Sequence, residues 1–425
     1  MATRPEAPAR APLLDLDEAL ARLAAAGAAA RIAAVETVAT HAALGRVLAA
    51  DLVSQIDVPP AATSAMDGYA LRAADAAGAA SVLVVSQRIA AGQVGVPLAA
   101  GEAARIFTGA PLPPGADAVL MQERAEPVAG AQPPAVRLLE LPQPGQWVRQ
   151  RGEDVRRGSV VLAAGTRLTP QALGLAATTG AAELAVVRRP RVALLSSGDE
   201  LVRPGSVAPA ALPPGAIYDS NRDTLRALLQ AAGCEVSDCG AVPDRLAATR
   251  AALREAAADH DLILSSGGVS VGEEDHLRPA LAAEGRIELW QVAIKPGKPL
   301  AFGAVRRAAG GEALYVGLPG NPVSSFVTFL LAVRTLLRAL QGADCALPPP
   351  LPLSAGFDWP RPDARREFLR VRLGAEGRLE LYPNQSSGVL TSTVWADGLV
   401  DNPPAQAIRA GDQVRYLPLS SLIGG

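Results

Sequence analysis

The sequence predicts an α/β multidomain protein with a central, doubly wound and mainly parallel α/β domain. Strand and helix patterns alternate from Arg189 onward, which is typical of a parallel sheet with helices on both faces. Between residues 50 and 150, short β-type runs alternate with Pro/Gly clusters, which predicts a β-rich domain. After the proline run at 348–352 the pattern changes to hairpins, which predict a C-terminal, β-barrel-like domain.

These changes of pattern divide the 425 residues into four units, each large enough to contribute to a buried core. We expect a small helical or linker domain from residues 1–49 and 151–187, a β-rich domain at 50–150, an α/β substrate-binding domain at 188–343 and a C-terminal β domain at 344–425.

Each domain contains recognisable elements. Residues 15–26 have helical spacing after two aspartates, and we expect this helix to end at Gly27. Thr169 and Pro170 begin a second helix, which Gly180 ends. In the β-rich domain we expect strands at 82–85, 104–107, 118–121 and 136–139.

In the α/β domain we expect strands and helices to alternate. The strands are predicted at 192–195, 261–266, 287–294, 299–305 and 313–318, and the helices at 220–233, 245–258, 275–284 and 322–340. Asn321 is a suitable N-cap for the last helix, because its side chain can accept a backbone hydrogen bond. The uncharged run 313–333 is long enough to cross a membrane, but the Pro-Gly-Asn-Pro at 319–322 divides it into a strand and a buried helix.

Composition excludes several classes of protein. The net charge is -2 and aromatic residues are 4%, whereas a nucleic-acid-binding protein needs a basic face and stacking aromatics. Three cysteines and three histidines lack the spacing of a disulfide framework or a zinc site. Charged residues interrupt the early apolar stretch at 16–34, so we predict no export signal. We therefore expect a cytoplasmic protein without nucleic-acid or membrane partners.

The chain contains only two lysines, Lys295 and Lys298, which lie in one short loop. Lys and Arg together number 40, so the other 38 basic residues are arginines. A lysine ammonium is a compact charge with three rotatable donors, whereas the arginine guanidinium is a rigid fork. The two lysines could also belong to a solvated turn. Because prolines stiffen the loop and a strand follows at once, we favour a site for a small oxyanion.

Four loops follow predicted strands of the α/β sheet, where ligands bind in folds of this class. The loop at 265–272 is rich in glycine and serine, so its backbone amides and hydroxyls can approach an anion closely. Glu200, Asp244 and Asp275 lie near the same edge. Taken singly, each acid is typical of a solvated loop. As a set beside phosphate-binding amides, they indicate a hard cation such as Mg²⁺.

Two further motifs lie outside the α/β domain. The first places Asp67 before a glycine, and the second crowds acids and arginines at 149–154 around a glycine turn. Their chemistry alone does not identify a partner.

Eight motifs, in this order, resemble those of the molybdopterin molybdenumtransferase family, to which the C-terminal domain of gephyrin is related. They are SAMDGYA (64–70), IFTGAPLPPGADAV (106–119), RGEDV (151–155), LLSSGDEL (194–201), IYDSNR (217–222), SSGGVSVGEEDH (265–276), AIKPGKP (293–299) and LPGNPVSS (318–325). The resemblance implies transfer of molybdenum from molybdate to adenylylated molybdopterin, with Mg²⁺-dependent release of AMP. It also implies a homodimer of four-domain subunits, with the active site between the α/β domain of one subunit and the β domain of the other.

The resemblance also implies roles for individual residues. The implied catalytic residues are Asp67, Asp154 and Asp244, and the implied metal ligands are Glu200 and Asp275. The implied substrate-binding residues are Thr108, Gly267, Gly268, Ser270, Lys295, Lys298, Pro299, Ser324, Arg370 and Ser387.

The chain departs from the family pattern at two positions. Gln291 follows Trp290 where the family often has a lysine, and Ser386 stands where it tends to have a glycine. Two other interpretations remain open. One is a scaffold or binding module that kept the fold without the chemistry. The other is the adenylyltransferase of the same pathway, which is otherwise expected as an upstream partner.

Overall fold

The computed structural model describes residues 13–78, 80–268 and 276–424, in which three six-stranded sheets form the framework. The α-helices lie at Leu16–Ala29, Pro170–Thr178, Ser220–Ala231, Leu246–Asp259, Leu277–Glu284, Pro322–Thr328, Arg334–Leu340, Thr391–Trp395 and Leu419–Ile423. The predicted multidomain α/β fold is confirmed.

The β-rich region contains the first sheet. In spatial order its strands are Ala118–Met121, Gly68–Leu71, Glu102–Ile106, Val82–Ile89, Ala135–Leu138 and Ala125–Pro127. Each of the four strands predicted in this region overlaps one of them. Three short antiparallel pairs join the polypeptide on either side of this region, and they are Val35–Ala39 with Glu183–Val187, Leu52–Val53 with Val160–Leu162, and Thr63–Ser64 with Val148–Arg149.

The second sheet belongs to the α/β region. Its order is Glu235–Val242, Arg191–Ser197, Leu262–Ser266, Glu312–Leu318, Pro299–Arg306 and Gly285–Gln291. The first four strands are parallel, and the last two are antiparallel to their neighbours. One face packs against helices Leu246–Asp259 and Leu277–Glu284, and the other against Ser220–Ala231 and the long apolar helix. The sheet is therefore mainly parallel and covered on both faces, as predicted.

The long apolar helix, which we call the core helix, runs from Pro322 to Leu340 and includes a π-helical segment at Phe329–Val333. Among the described residues it alone is long and apolar enough to cross a membrane, but 94% of its most apolar window is buried in the protein. Asn321 occupies the N-cap position, as expected. Its side chain makes no capping hydrogen bond, so that part of the prediction is wrong.

The first helix, Leu16–Ala29, packs against the core helix. Its N-cap is Asp15, whose side chain accepts a hydrogen bond from the Asp17 backbone. The prediction that it ends at Gly27 is wrong, because this glycine serves close packing rather than termination. A Cβ at Gly27 would lie 2.7 Å from the Ala339 Cβ and 2.9 Å from the Leu336 carbonyl oxygen.

The third sheet is C-terminal, but one of its strands comes from the lysine loop. Its order is Ile294–Lys295, Arg366–Leu373, Gly398–Asn402, Gln413–Pro418 and Leu351–Ser354, with Leu379–Leu381 paired to the second strand. The core around the core helix also includes Phe368, Leu399 and Leu417 from this sheet. The α/β and C-terminal regions therefore share both a sheet and a core, and the boundaries of the four units stay a proposal.

We predict that Gly27→Ala destabilises the protein by about 1–3 kcal/mol, because the added methyl group overpacks the contact between the two helices. Urea denaturation measures the change in the free energy of unfolding. Gly174→Ala is the matched control, since Gly174 lies in helix Pro170–Thr178 and a Cβ there meets no atom within 4 Å. The control should gain about 0.5–1 kcal/mol. Equal effects of the two substitutions would contradict the packing role of Gly27.

Candidate functional site

A cavity of about 630 Å³ lies at the carboxyl edge of the parallel strands in the α/β sheet. It is lined by segments that follow all four of these strands and by the start of the strand Pro299–Arg306. The predicted site residues that line it are Glu200, Asp244, Gly267, Gly268, Pro299 and Ser324. Three of the four motif-bearing loops therefore meet at this edge, whereas the lysine loop reaches the cavity only through Pro299. The predicted residues Lys295, Lys298, Arg370 and Ser387 do not line it.

Glycine is required where two of these loops meet. Gly267 has φ +86°, and a Cβ there would lie 2.6 Å from the Ser197 carbonyl oxygen. Its own N–H donates to the Leu318 carbonyl oxygen at 3.1 Å. Gly268 also lies in the left-handed region, with φ +65°. The backbone therefore turns into the cavity at a point where a larger residue would be strained.

Asn221 joins two of the loops and was given no role in the sequence analysis. Its Nδ2 donates to the Ser266 Oγ at 2.7 Å and to the Gly320 carbonyl oxygen at 2.7 Å. The residue is buried and also lines the cavity. Its position in the IYDSNR motif, just inside a helix N-terminus, was the available signal.

The acidic side of the cavity contains Glu200 and Asp244. Gly198, with φ +144°, makes room for Glu200, because a Cβ there would lie 2.5 Å from the Glu200 carboxylate. The predicted residues Ser270 and Asp275 lie outside the described residues. Where the structure describes the chain, no group of three His, Cys, Asp or Glu side chains could hold a metal. Two carboxylates beside phosphate-binding amides still fit Mg²⁺, which commonly combines one or two protein carboxylates with substrate phosphates and water.

The two lysines have different surroundings. The Lys295 Nζ lies 3.3 Å from a Glu367 carboxylate oxygen and 3.4 Å from an Asp363 carboxylate oxygen. The Lys298 side chain has no ion pair or hydrogen bond to any described residue. Between them, Gly297 packs on the core helix, where a Cβ would lie 2.3 Å from the Thr328 Oγ1. The loop is thus fixed, while no carboxylate among the described residues pairs with Lys298.

Arg370 is a second cation that has no carboxylate partner among the described residues. It is 1% exposed, and its guanidinium donates to the Ser392 Oγ, the Phe368 carbonyl oxygen and the Ser386 carbonyl oxygen. No carboxylate of the described chain forms an ion pair with it, and burial lowers its pKa to about 10. It remains protonated near neutral pH, so this buried positive charge favours a nearby anion.

Ser387 connects the Arg370 neighbourhood to the core helix. Its carbonyl oxygen accepts a hydrogen bond from the Val323 N–H at 3.0 Å. Ser324, next to Val323, lines the cavity, and its carbonyl oxygen lies 3.5 Å from a Cβ built on Gly297. Contacts therefore run from the lysine loop through the first turn of the core helix to the segment that Arg370 binds.

The predicted residues of the β-rich region form a separate group. The Asp67 carboxylate accepts hydrogen bonds from the Thr108 N–H at 2.8 Å and the Thr108 hydroxyl at 2.7 Å. The backbone bond is the main cause that lowers the pKa of Asp67, and the hydroxyl bond adds to it. Asp154 lines a different cavity of about 680 Å³, together with Arg149 and Gly109. None of these three predicted residues lines the first cavity.

Asp57 was missed in the sequence analysis, although it supports the turn that carries Asp154. Its carboxylate accepts hydrogen bonds from the Arg157 N–H at 2.8 Å and the Arg151 Nε at 2.6 Å. These bonds lower the pKa of Asp57, so it stays ionised. It precedes Val58-Pro59 without any motif, so no signal in the sequence identified it.

Three protein-family models match this chain in succession. The MoeA N-terminal region (domain I and II) matches residues 14–180, the probable molybdopterin binding domain matches 193–339, and the MoeA C-terminal region (domain IV) matches 352–419.

Curated relatives match most of the chain. It is 38% identical over 391 residues to the molybdopterin molybdenumtransferase of Haemophilus influenzae, which covers 90% of this chain and 93% of the relative. It is 37% identical over 403 residues to molybdopterin molybdenumtransferase 2 of Mycobacterium tuberculosis, covering 90% and 95%. Among solved structures, the molybdopterin biosynthesis MoeA protein of Pyrococcus horikoshii OT3 matches with a TM-score of 0.80 and 29% identity, covering 96% of this chain and all of that one.

We predict that Thr108→Val raises the pKa of Asp67 part of the way toward its ordinary value, because the backbone bond remains and the hydroxyl bond is lost. Since the folded-state pKa is depressed, Asp67 contributes stability above its unfolded pKa, and this contribution disappears as pH falls through the folded value. Carboxyl ¹³C NMR titration measures the pKa of Asp67, and denaturation at a series of pH values measures its contribution to stability. The Asp57 resonance serves as the internal control and should not change. An unchanged Asp67 titration would show that the hydroxyl bond is absent in solution.

Proposed function

This chain belongs to the molybdopterin molybdenumtransferase family, and on that premise we propose that it inserts molybdenum from molybdate into adenylylated molybdopterin, with release of AMP. The reaction is a step of molybdenum cofactor biosynthesis. Molybdate is the substrate oxyanion, and the adenylylated pterin is the second substrate. We also place the enzyme in the cytoplasm, which agrees with its three free cysteines.

The observation that carries this proposal is that two cations, Lys298 and Arg370, have no carboxylate partner within the part of the chain that the structure describes. They are linked through Ser387 and the first turn of the core helix, beside a cavity with glycine-rich backbone. A small oxyanion needs several donors from different directions, which an ammonium, a fixed guanidinium and serine groups supply. Molybdate would bind next to the turn at Gly267 and Gly268, where the absence of side chains lets the phosphate groups of the second substrate approach the backbone.

Glu200 and Asp244, with Asp275, are the residues proposed to hold Mg²⁺ or to act close to it. Bound at this edge, Mg²⁺ would neutralise charge on the phosphates of the adenylylated substrate. The chain's own part is to present two carboxylates at the cavity wall while Gly198 leaves room for Glu200. For Asp244 we propose a catalytic role as an acid or base, which the resemblance implies.

Asp67, Thr108 and Asp154 are proposed to act on the same substrate from a second subunit. Two features support a homodimer with a shared site. In one chain these residues lie apart from the first cavity, and the second cavity carries its own charged groups, Arg149 and Asp154. Its bonds to Thr108 keep Asp67 ionised at neutral pH, so it would act in the shared site as a fixed negative charge.

Two rival functions make different predictions for one assay. Purified protein is incubated with adenylylated molybdopterin, molybdate and Mg²⁺, and AMP and active cofactor are measured. Molybdate-dependent AMP release with cofactor formation supports the proposed reaction. A scaffold would bind without turnover, and an adenylyltransferase would instead consume ATP and molybdopterin.

We predict that Lys298→Arg raises the molybdate concentration needed for half-maximal AMP release, although charge is retained, because the bulkier fork does not fit an ammonium site. Lys295→Arg should act in the same direction. Arg306→Lys, at the exposed end of a strand, is a control for the effect of exchanging arginine and lysine outside the site. Wild-type molybdate curves for both lysine variants, with unaltered thermal stability, would contradict an oxyanion role for the loop.

We predict that Glu200→Gln raises the Mg²⁺ concentration required for activity, because a neutral amide is a poorer ligand for a hard cation. Asp67→Asn should lower kcat without changing this requirement, since Asp67 lies in the other group of site residues. Titration of Mg²⁺ against AMP release measures both variants. Identical shifts in the two Mg²⁺ curves would rule out the division between metal-binding and catalytic acids.

A further inference from the structure

Glu367 is a fully buried carboxylate that belongs to the C-terminal sheet and faces the lysine loop. It is 0% exposed. One of its oxygens accepts hydrogen bonds from the Trp359 Nε1 at 2.8 Å and the Asn402 Nδ2 at 3.4 Å. The other lies 3.3 Å from the Lys295 Nζ. Two neutral donors therefore fix one side of the carboxylate, and its free side is directed at a lysine that we place in the oxyanion site.

Asp363 reaches the same ammonium from a second direction. Its carboxylate lies 3.4 Å from the Lys295 Nζ and binds the Arg365 guanidinium through both oxygens at 2.9 Å. The Arg365 side-chain bond is the main cause that holds the pKa of Asp363 well below its usual range. Asp363 is thus an ionised, anchored group that cannot easily follow a moving lysine.

The backbone sets the partnership between Lys295 and Glu367. Ile294 and Lys295 pair in parallel with Arg366 and Glu367, so the lysine and the buried acid occupy opposed positions in the register. The Arg366 N–H also donates to the Ala293 carbonyl oxygen at 3.0 Å.

The four charged side chains around Lys295 have no net charge together, whereas Lys298 has no charged partner among the described residues. Lys295 and Arg365 supply two positive charges, and Asp363 and Glu367 supply two negative charges. A lysine ammonium has three N–H donors and can rotate them freely. With two directions occupied by fixed acids, one donor remains on a side chain that is 41% exposed.

We propose that Glu367 is a positioning residue that, together with Asp363, orients the Lys295 ammonium so that one N–H remains for the oxyanion. Lys295 then acts as a directional donor within a group of zero net charge, and Lys298 supplies the attracting charge. This assignment rests on the proposed function, because it specifies how that site binds its oxyanion.

The variant Glu367→Gln tests the orientation with little change of shape. The glutamine oxygen can still accept from Trp359 and Asn402, but its amide nitrogen cannot accept from Lys295. The KM for molybdate should rise about tenfold, the size expected when a hydrogen bond to a charged group is lost. The KM for the adenylylated substrate should stay within about twofold of the wild-type value, since no contact to it is altered.

Glu380→Gln is the matched control, because Glu380 lies in the same sheet and binds the exposed Arg372 instead. It should leave both KM values unchanged. A rise of both KM values together in Glu367→Gln, or no rise in either, overturns the positioning role.

A double-mutant cycle separates orientation from general support of the fold. If Glu367 acts through Lys295, then Glu367→Gln has no further effect on the molybdate KM in a Lys295→Ala background. Additive effects on KM would show that Glu367 supports the site by another route and would overturn the proposal.

A measurement without turnover distinguishes this proposal from the proposed function. Because the chain has two lysines, protein labelled with ¹³C at the lysine Cε gives two lysine resonances, and Lys295→Ala assigns them. Without substrates, Glu367→Gln should shift and sharpen the Lys295 resonance and leave that of Lys298 unchanged. An unchanged Lys295 resonance refutes its orientation by Glu367. Absence of AMP release by the wild-type enzyme refutes the proposed function instead.

Discussion

The junction between the lysine loop and the C-terminal sheet is the interaction on which the site depends. After the last strand of the α/β sheet, residues Ile294–Lys295 pair with the strand Arg366–Leu373 of the C-terminal sheet. The Val292 N–H donates a hydrogen bond to the Lys298 carbonyl oxygen at 2.8 Å, across the base of the loop. Gly297 allows the same loop to press against Thr328 of the core helix. Because backbone bonds fix the loop on two sides, its lysines are placed before any anion arrives, which lowers the entropic cost of binding.

At this junction Lys295 and Arg365 are paired with Asp363 and Glu367, whereas Lys298 and Arg370 have no acidic partner in the described ranges. Burying a charge without a partner is costly, and burial accordingly lowers the pKa of Arg370 to about 10. Neutral acceptors, Ser392 and the carbonyl groups of Phe368 and Ser386, replace part of its lost hydration. A bound oxyanion would supply the missing opposite charge. Lys295, in contrast, is already neutralised by fixed acids, so the two lysines cannot have identical roles.

The sequence predicted those features that depend on local pattern. The alternation of strand and helix patterns predicted the parallel sheet. The loops at its carboxyl edge predicted four residues that line one cavity, Glu200, Asp244, Gly267 and Gly268. The edge strand Glu235–Val242 was not predicted, because polar residues and a glycine interrupt its apolar residues. The structure accordingly leaves the whole strand exposed or half-buried. The length of the first helix was misjudged since Gly27 is needed for contact with Ala339, which lies more than 300 residues away.

Long-range pairing also explains which site residues were missed. Glu367 and Asp363 gain their importance only when the C-terminal sheet meets a loop some 70 residues earlier, and nothing local marks them. Asn221 lies in a motif, but its two acceptors belong to loops far along the chain.

The most direct measurement of the central claim is a crystal structure of the protein soaked with molybdate and AMP, with molybdenum located by its anomalous scattering. The account predicts a molybdenum atom between the Lys298 ammonium and the segment Ser386–Ser387 that Arg370 binds, with AMP beside Gly267 and Gly268. Molybdenum bound only at the cavity beside Asp154, or spread over surface arginines without an ordered position near Lys298, would contradict it.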